Sequence, residues 1–197
     1  MPRVSKKGTR KKKKEKEWTE EELEVINREF EDRKPKIIEC LKTKPFVEAL
    51  NKVLVLVDIF DIPQQIVDTT ETRLRIHGML IEWTLKWLYD LISSGELSPE
   101  EREMRINQSV IICFFQLCDR PALRRKFKKY VVPLLIKPGY SRTKIVEVVK
   151  RKLEEVSYFD DDAIEGLNVS VMRMQIKWLD REFYGAMARY YSWERDS

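Results

Sequence analysis

Eight cations crowd between Lys6 and Lys16: Lys6, Lys7, Arg10, Lys11, Lys12, Lys13, Lys14 and Lys16, with Arg3 just ahead of them. No apolar residue occurs from Ser5 to Glu17, so this stretch has nothing to bury and is expected to be disordered on its own. Fixing about ten such residues costs on the order of 10–20 kcal/mol of backbone entropy, which only an extensive anionic partner can offset. Polyphosphate fits, because each neutralised phosphate releases condensed counterions. A nuclear-localisation stretch, a contact with anionic lipid and a solubilising tail are the alternative readings.

A second cationic stretch lies far along the chain. Residues 120–152 hold twelve basic residues and one acidic residue, Glu147, net +11; residues 1–17 are net +7, and the whole chain is only +5. The remainder is therefore net −13, an acidic body bearing two basic segments. In the second segment Arg124, Arg125, Lys128, Lys129, Arg142, Lys144, Lys150 and Arg151 are expected to point outward, and the run can contact phosphates along a groove. Arg120, Lys126, Lys137 and Lys152 belong to the same run. A helix-turn-helix with 142–152 as recognition helix is a rival. Base-reading side chains are few there, Ser141 and Thr143 being the exceptions, which favours backbone contact without sequence preference. A third reading pairs this basic face with the acidic body of a neighbouring copy.

Other chemistry is sparse. The six glycines form no phosphate loop, and no serine sits in a nucleophile elbow. The single histidine, His77, reads as a packing residue. Asp160, Asp161, Asp162 and Glu165 suit a helix start better than a cation site. Cys113 and Cys118 read as core thiols, and the sequons at Asn107 and Asn168 as chance matches. The expectation is a protein that is not an enzyme, with no cofactor, no metal and no small-molecule substrate. No apolar run is long enough for a membrane span, and the basic N-terminus lacks the apolar stretch of an export signal.

The elements that must carry these groups read as helices. Thr19 with Glu22 makes a capping box, and Trp18 with Leu23 a hydrophobic staple. That helix is expected to reach Lys34 and to break or restart at Pro35, with another start at Pro45. A long helix is expected over 70–93, with apolar rows on more than one side, as in the centre of a bundle. Ser98-Pro99-Glu100-Glu101 restarts the chain. Basic helices are expected over 121–131 and 142–156, with interruptions at Pro133 and at Lys137-Pro138-Gly139, and a final helix from about Asp160. The fold class is all-α, a multi-helix bundle behind a basic arm that is extended or helical. Residues 1–17 form the arm and 18–197 one domain, made of N-terminal helices (18–60) and a helical body (70–197).

The layout of a cationic arm (Lys6–Lys16), a capped helix (Trp18-Thr19-Glu20-Glu21-Glu22), bends at Pro35 and Pro45 and then an apolar helical body resembles the major coat proteins of filamentous archaeal viruses, the lipothrixvirus and rudivirus group. The resemblance is architectural and covers mainly residues 1–60. It implies a structural subunit, dimeric, whose arm wraps double-stranded DNA while the body packs against copies of itself or a related second coat subunit. It further implies location in the virion, with the host nucleus or cytoplasm as the alternative, and leaves DNA, an anionic envelope lipid or another subunit as the candidate partners of 120–152. A sequence-specific regulator and a nuclear-targeted interaction module are the rival functions. A charged fraction of 36%, with few Asn and Gln, suits a hot habitat.

Overall fold

The computed structural model describes residues 17–57, 61–115 and 125–157. The arm, the start at Pro121 and the expected helix from Asp160 lie outside the described residues. Among the described residues all regular structure is helical. The order is α1 (Glu20–Thr43), α2 (Phe46–Leu56), α3 (Thr70–Ser93), α4 (Pro99–Phe115), a π-helical turn (Phe127–Val131) running into α5 (Val132–Leu135), and α6 (Arg142–Ser157).

The local start signals operate as the sequence predicts. The Thr19 hydroxyl accepts from the Glu22 N–H at 3.2 Å, and the Glu22 carboxylate accepts from the Thr19 N–H at 3.0 Å. Ser98 and Glu101 repeat this reciprocal pair at α4, at 3.2 and 3.0 Å. Each box satisfies N–H groups that the first turn leaves without helical partners. The Ser98 backbone N–H, and then its side chain, hold the Glu101 carboxyl below its usual value. Gly95 ends α3 in the left-handed region, at φ 79°. Gly139, at φ 86°, completes a turn after Pro138 in which the Tyr140 N–H reaches the Lys137 carbonyl at 3.3 Å.

The expected break at Pro35 does not occur. α1 runs through it to Thr43, and Ile26, Phe30, Arg33, Ile37 and Leu41 make one buried stripe across it. An interior proline costs about 3 kcal/mol. Burying Ile37 and Leu41 completely returns about 1.5–3 kcal/mol each, so continuity wins. Pro133 likewise sits inside a helical stretch. The Val132 N–H bonds to the Phe127 carbonyl, five residues back, and this widened turn precedes the proline.

α3 is the central element, in contact with α1, α4, the π turn and α5. Ile76, Leu80, Ile81, Leu85 and Leu88 on it are almost wholly buried, as are Ile106, Val110, Ile111, Ile112 and Cys113 on α4. α6 closes against α4 with Ile145, Val149 and Val156. His77 is buried on α3, consistent with a packing role.

Two buried arginines tie helix C-termini to the body. Arg33 donates to the Leu56 carbonyl at 2.8 Å, at the end of α2, and pairs with Asp61 at 2.5 Å and Glu29 at 3.5 Å. Arg105 donates to the Leu41 carbonyl in the last turn of α1 and to the Gln108 side-chain oxygen at 2.9 Å. Both meet carbonyls that the final helical turn leaves unbonded, where a cation is also favoured by the helix dipole. Burial holds the Arg105 guanidinium below its usual value, with Glu101 opposing the shift.

Candidate nucleic-acid interface

The expected phosphate contacts divide three ways. Arg3, Lys6, Lys7, Arg10, Lys11, Lys12, Lys13, Lys14, Lys16 and Arg124 lie outside the described residues, as does the side chain of Arg142, the first residue of α6. Arg125 is exposed and has no ion pair among the described residues; Lys137 is the same. Lys128 is half-buried, and Lys129 and Lys144 are exposed but engaged with carboxylates.

Of the eight cations of the second basic segment whose side chains are described, at least four meet carboxylates of the same chain. Lys129 meets Glu82 of α3 at 3.2 Å, Lys144 meets Glu147 at 3.6 Å, and Arg151 meets Glu155 at 3.7 Å. Two of its cations do not face outward at all. Lys126 is buried, and its ammonium donates to the Gly78 carbonyl of α3 at 2.8 Å. Lys152 is buried too, pairing with Glu103 of α4 and with Glu155 at 3.2 Å. The reason is the interleaved apolar residues. Burying Phe127, Tyr130, Val131, Val149 and Val156 draws the intervening lysine stems along, and their charged tips find polar partners on α3 and α4. Lys129 and Lys152 thus meet carboxylates of the chain's own body.

Glu82 is the centre of that docking. One carboxylate oxygen accepts from the Lys129 ammonium at 3.2 Å and from the Tyr130 hydroxyl at 3.1 Å. Burial pushes this carboxyl up, but the Lys129 and Tyr130 hydrogen bonds and the charges of Lys129 and Lys126 outweigh it and hold it below the usual carboxylate range. The Lys129 ammonium is held above its usual value, by Tyr130 first and Glu82 second. Tyr89 meets the Tyr130 ring edge-on, with centroids 6.4 Å apart. Gly78 permits the approach of Lys126: a methyl group there would lie 3.0 Å from the ammonium. A glycine inside an otherwise apolar helix is the sequence signal for such a close approach. Nothing local marks Glu82, whose partners lie almost fifty residues away.

A helix-turn-helix is poorly served by this geometry. The connection from α5 to α6 spans six residues, Ile136–Ser141, against the three or four of that motif. Along α6 the exposed Lys144 and Arg151 alternate with the exposed Glu147 and Glu155, which repel phosphate. The Ser141 hydroxyl, one of two expected base readers, accepts the Lys144 N–H at 3.3 Å as a helix cap.

The root of the arm is fixed. Trp18 packs under the Arg75 guanidinium of α3, 4.0 Å from its ring centroid. Lys34 and Lys42 of α1 lie over Trp83 and Trp87 of α3, at 5.4 and 5.9 Å. Cation–aromatic contacts thus run along the whole α1–α3 seam. Residue order alone does not expose them, since each joins elements far apart in the chain.

Elsewhere, a shallow groove of about 350 Å³ between α1 and α2 is lined by lysines 36, 44 and 52 over Cys40, Val55 and Leu56. Lys36 is tied to Asp32 at 2.6 Å and Lys44 to Glu48 at 2.9 Å, the latter contact raising the Lys44 value. Among the described residues no three His, Cys, Asp or Glu side chains group as metal ligands. Among the same residues no helix is long and apolar enough to cross a membrane. No protein family, curated protein or solved structure matches the chain.

Proposed function

We propose that the chain is a structural, non-enzymatic subunit that packages double-stranded DNA by its backbone, in the manner of the major coat proteins of filamentous viruses, and that it resides in the virion. The observation that carries this reading is a contrast in charge. Lys6–Lys16 have only Glu15 among them and no apolar residue to draw them onto the body, whereas most cations of 125–152 with described side chains are engaged by Glu82, Glu103, Glu147, Glu155 or the Gly78 carbonyl. The arm therefore supplies the main phosphate contacts, with Arg125 and Lys137 as exposed additions. The Trp18–Arg75 stack supports a rigid launch point for it. Repetition along a filament adds avidity without further contacts per copy. Self-association, or assembly with a related second subunit, and contact with anionic envelope lipid belong to the same reading.

The test is binding to random-sequence duplex across a salt series, with electron microscopy of the complexes. Steep weakening with salt, uniform protection in footprinting and regular filaments are the expected results. A flat salt response, or one discrete protected operator, overturns the reading; the latter favours a regulator using 120–152 as a helix-turn-helix.

A further inference from the structure

We propose that Glu82 is a built-in counter-anion that withholds Lys129, and the face Lys129 shares with Arg125, from external polyanions. The inference rests on the polyanion reading above and adds a residue to it. The Lys129 ammonium and the Tyr130 hydroxyl converge on one oxygen of Glu82, at 3.2 and 3.1 Å. From the same turn, Lys126 reaches the Gly78 carbonyl one helical turn before Glu82, at 2.8 Å. One ammonium group and a hydroxyl thus converge on the carboxylate, and a second, buried ammonium is bonded to a carbonyl one turn away. This is the donor set that would hold a phosphate oxygen, filled by the protein itself.

The contact is open to competition from solvent. The Lys129 side chain is 63% exposed and that of Glu82 43%. Arg125, one turn earlier, is exposed. A duplex approaching this face meets a carboxylate on its best-placed lysine, so the phosphate must displace Glu82 and tolerate its charge. Contacts of the wild-type chain are thereby confined to the arm and to the cations that have no such partner. Lys152 has a different role: it is buried between Glu103 and Glu155, so releasing it exposes no cation.

The experiment compares the full-length wild type with E82Q, K129Q, E82Q/K129Q and the arm variant K11Q/K12Q/K13Q/K14Q, on random-sequence duplex over a salt series. E82Q keeps the shape and an acceptor oxygen while removing the charge. It is expected to bind several-fold more tightly at low salt, with a slope of log affinity against log salt steeper by about one. The double variant returns to the wild-type slope. K129Q alone keeps the wild-type slope because its lysine is already occupied, and its thermal melt reports any change in docking separately. If E82Q matches the wild type, or if K129Q alone lowers the slope by about one, the masking is overturned while the arm variant still reports on the packaging reading. If no variant binds duplex, both fall together.

Discussion

Residues 6–16 and residues 125–152 look alike as charge runs and differ in what separates the charges. In the first the spacers are Gly, Thr and Glu; in the second they are Phe127, Tyr130, Val131, Leu134, Ile145 and Val149, all buried. Apolar spacers at helical intervals carry their neighbouring lysines onto a folded surface, where Glu82 and Glu103 meet them. A run without such spacers has no folding force to bring it to a carboxylate. Net charge per segment therefore overstates what a folded segment offers a partner.

The sharpest break of this comparison is to neutralise one run at a time. K11Q/K12Q/K13Q/K14Q should weaken duplex binding on the order of a thousandfold at 0.1 M salt and lower the salt slope by about three to four. Its melting temperature should equal that of the wild type. Lys126→Ala should do the reverse, lowering stability by about 2–4 kcal/mol in a denaturant titration with an unchanged salt slope. Equal loss of binding in the two variants would erase the distinction between the runs. Ser98→Ala removes the cap of α4, which carries Arg105 and the Glu103 partner of Lys152, and should cost about 1 kcal/mol by thermal melt.

Acid sharpens the same picture more gently. The Glu82 carboxyl sits below its ordinary value, so its contribution to docking is complete above the ordinary carboxylate range and is lost as the pH falls through the depressed value. The difference in melting temperature between the wild type and E82Q should close as the pH drops from 7 to 3. The smallest effect is expected at Lys144, whose loose surface pair with Glu147 is worth little. Lys144→Gln should leave stability and duplex affinity nearly unchanged in the same melts and titrations.

Local signals were readable. Both capping boxes, the 70–93 helix and the Pro138-Gly139 turn depend on residues within four positions of each other, and they form as the spacing predicts. Where the reading failed, distant partners decided. Pro35 marks a break by its own chemistry, but Ile37 and Leu41 are held by neighbouring helices, and α1 stays whole. Lys126 and Lys152 are surface residues by type, but Gly78, Glu103 and the apolar residues around them set their burial. Arg33 and Arg105 gave no signal, because the carbonyls they meet are orphaned only once α1 and α2 end where they do. The candidate site was legible in its charge and illegible in its neutralisation.

The indole of Trp18, held beneath the Arg75 guanidinium, sets a boundary on how far one copy can grip. From that pivot back to Lys6 the chain spans twelve residues, at most about 40 Å when fully stretched. One helical turn of duplex is about 34 Å long. On the packaging proposal, the Lys6–Lys16 cations of one arm therefore follow roughly one turn of nucleic acid, and continuous coverage by them requires successive copies to sit no farther apart than that.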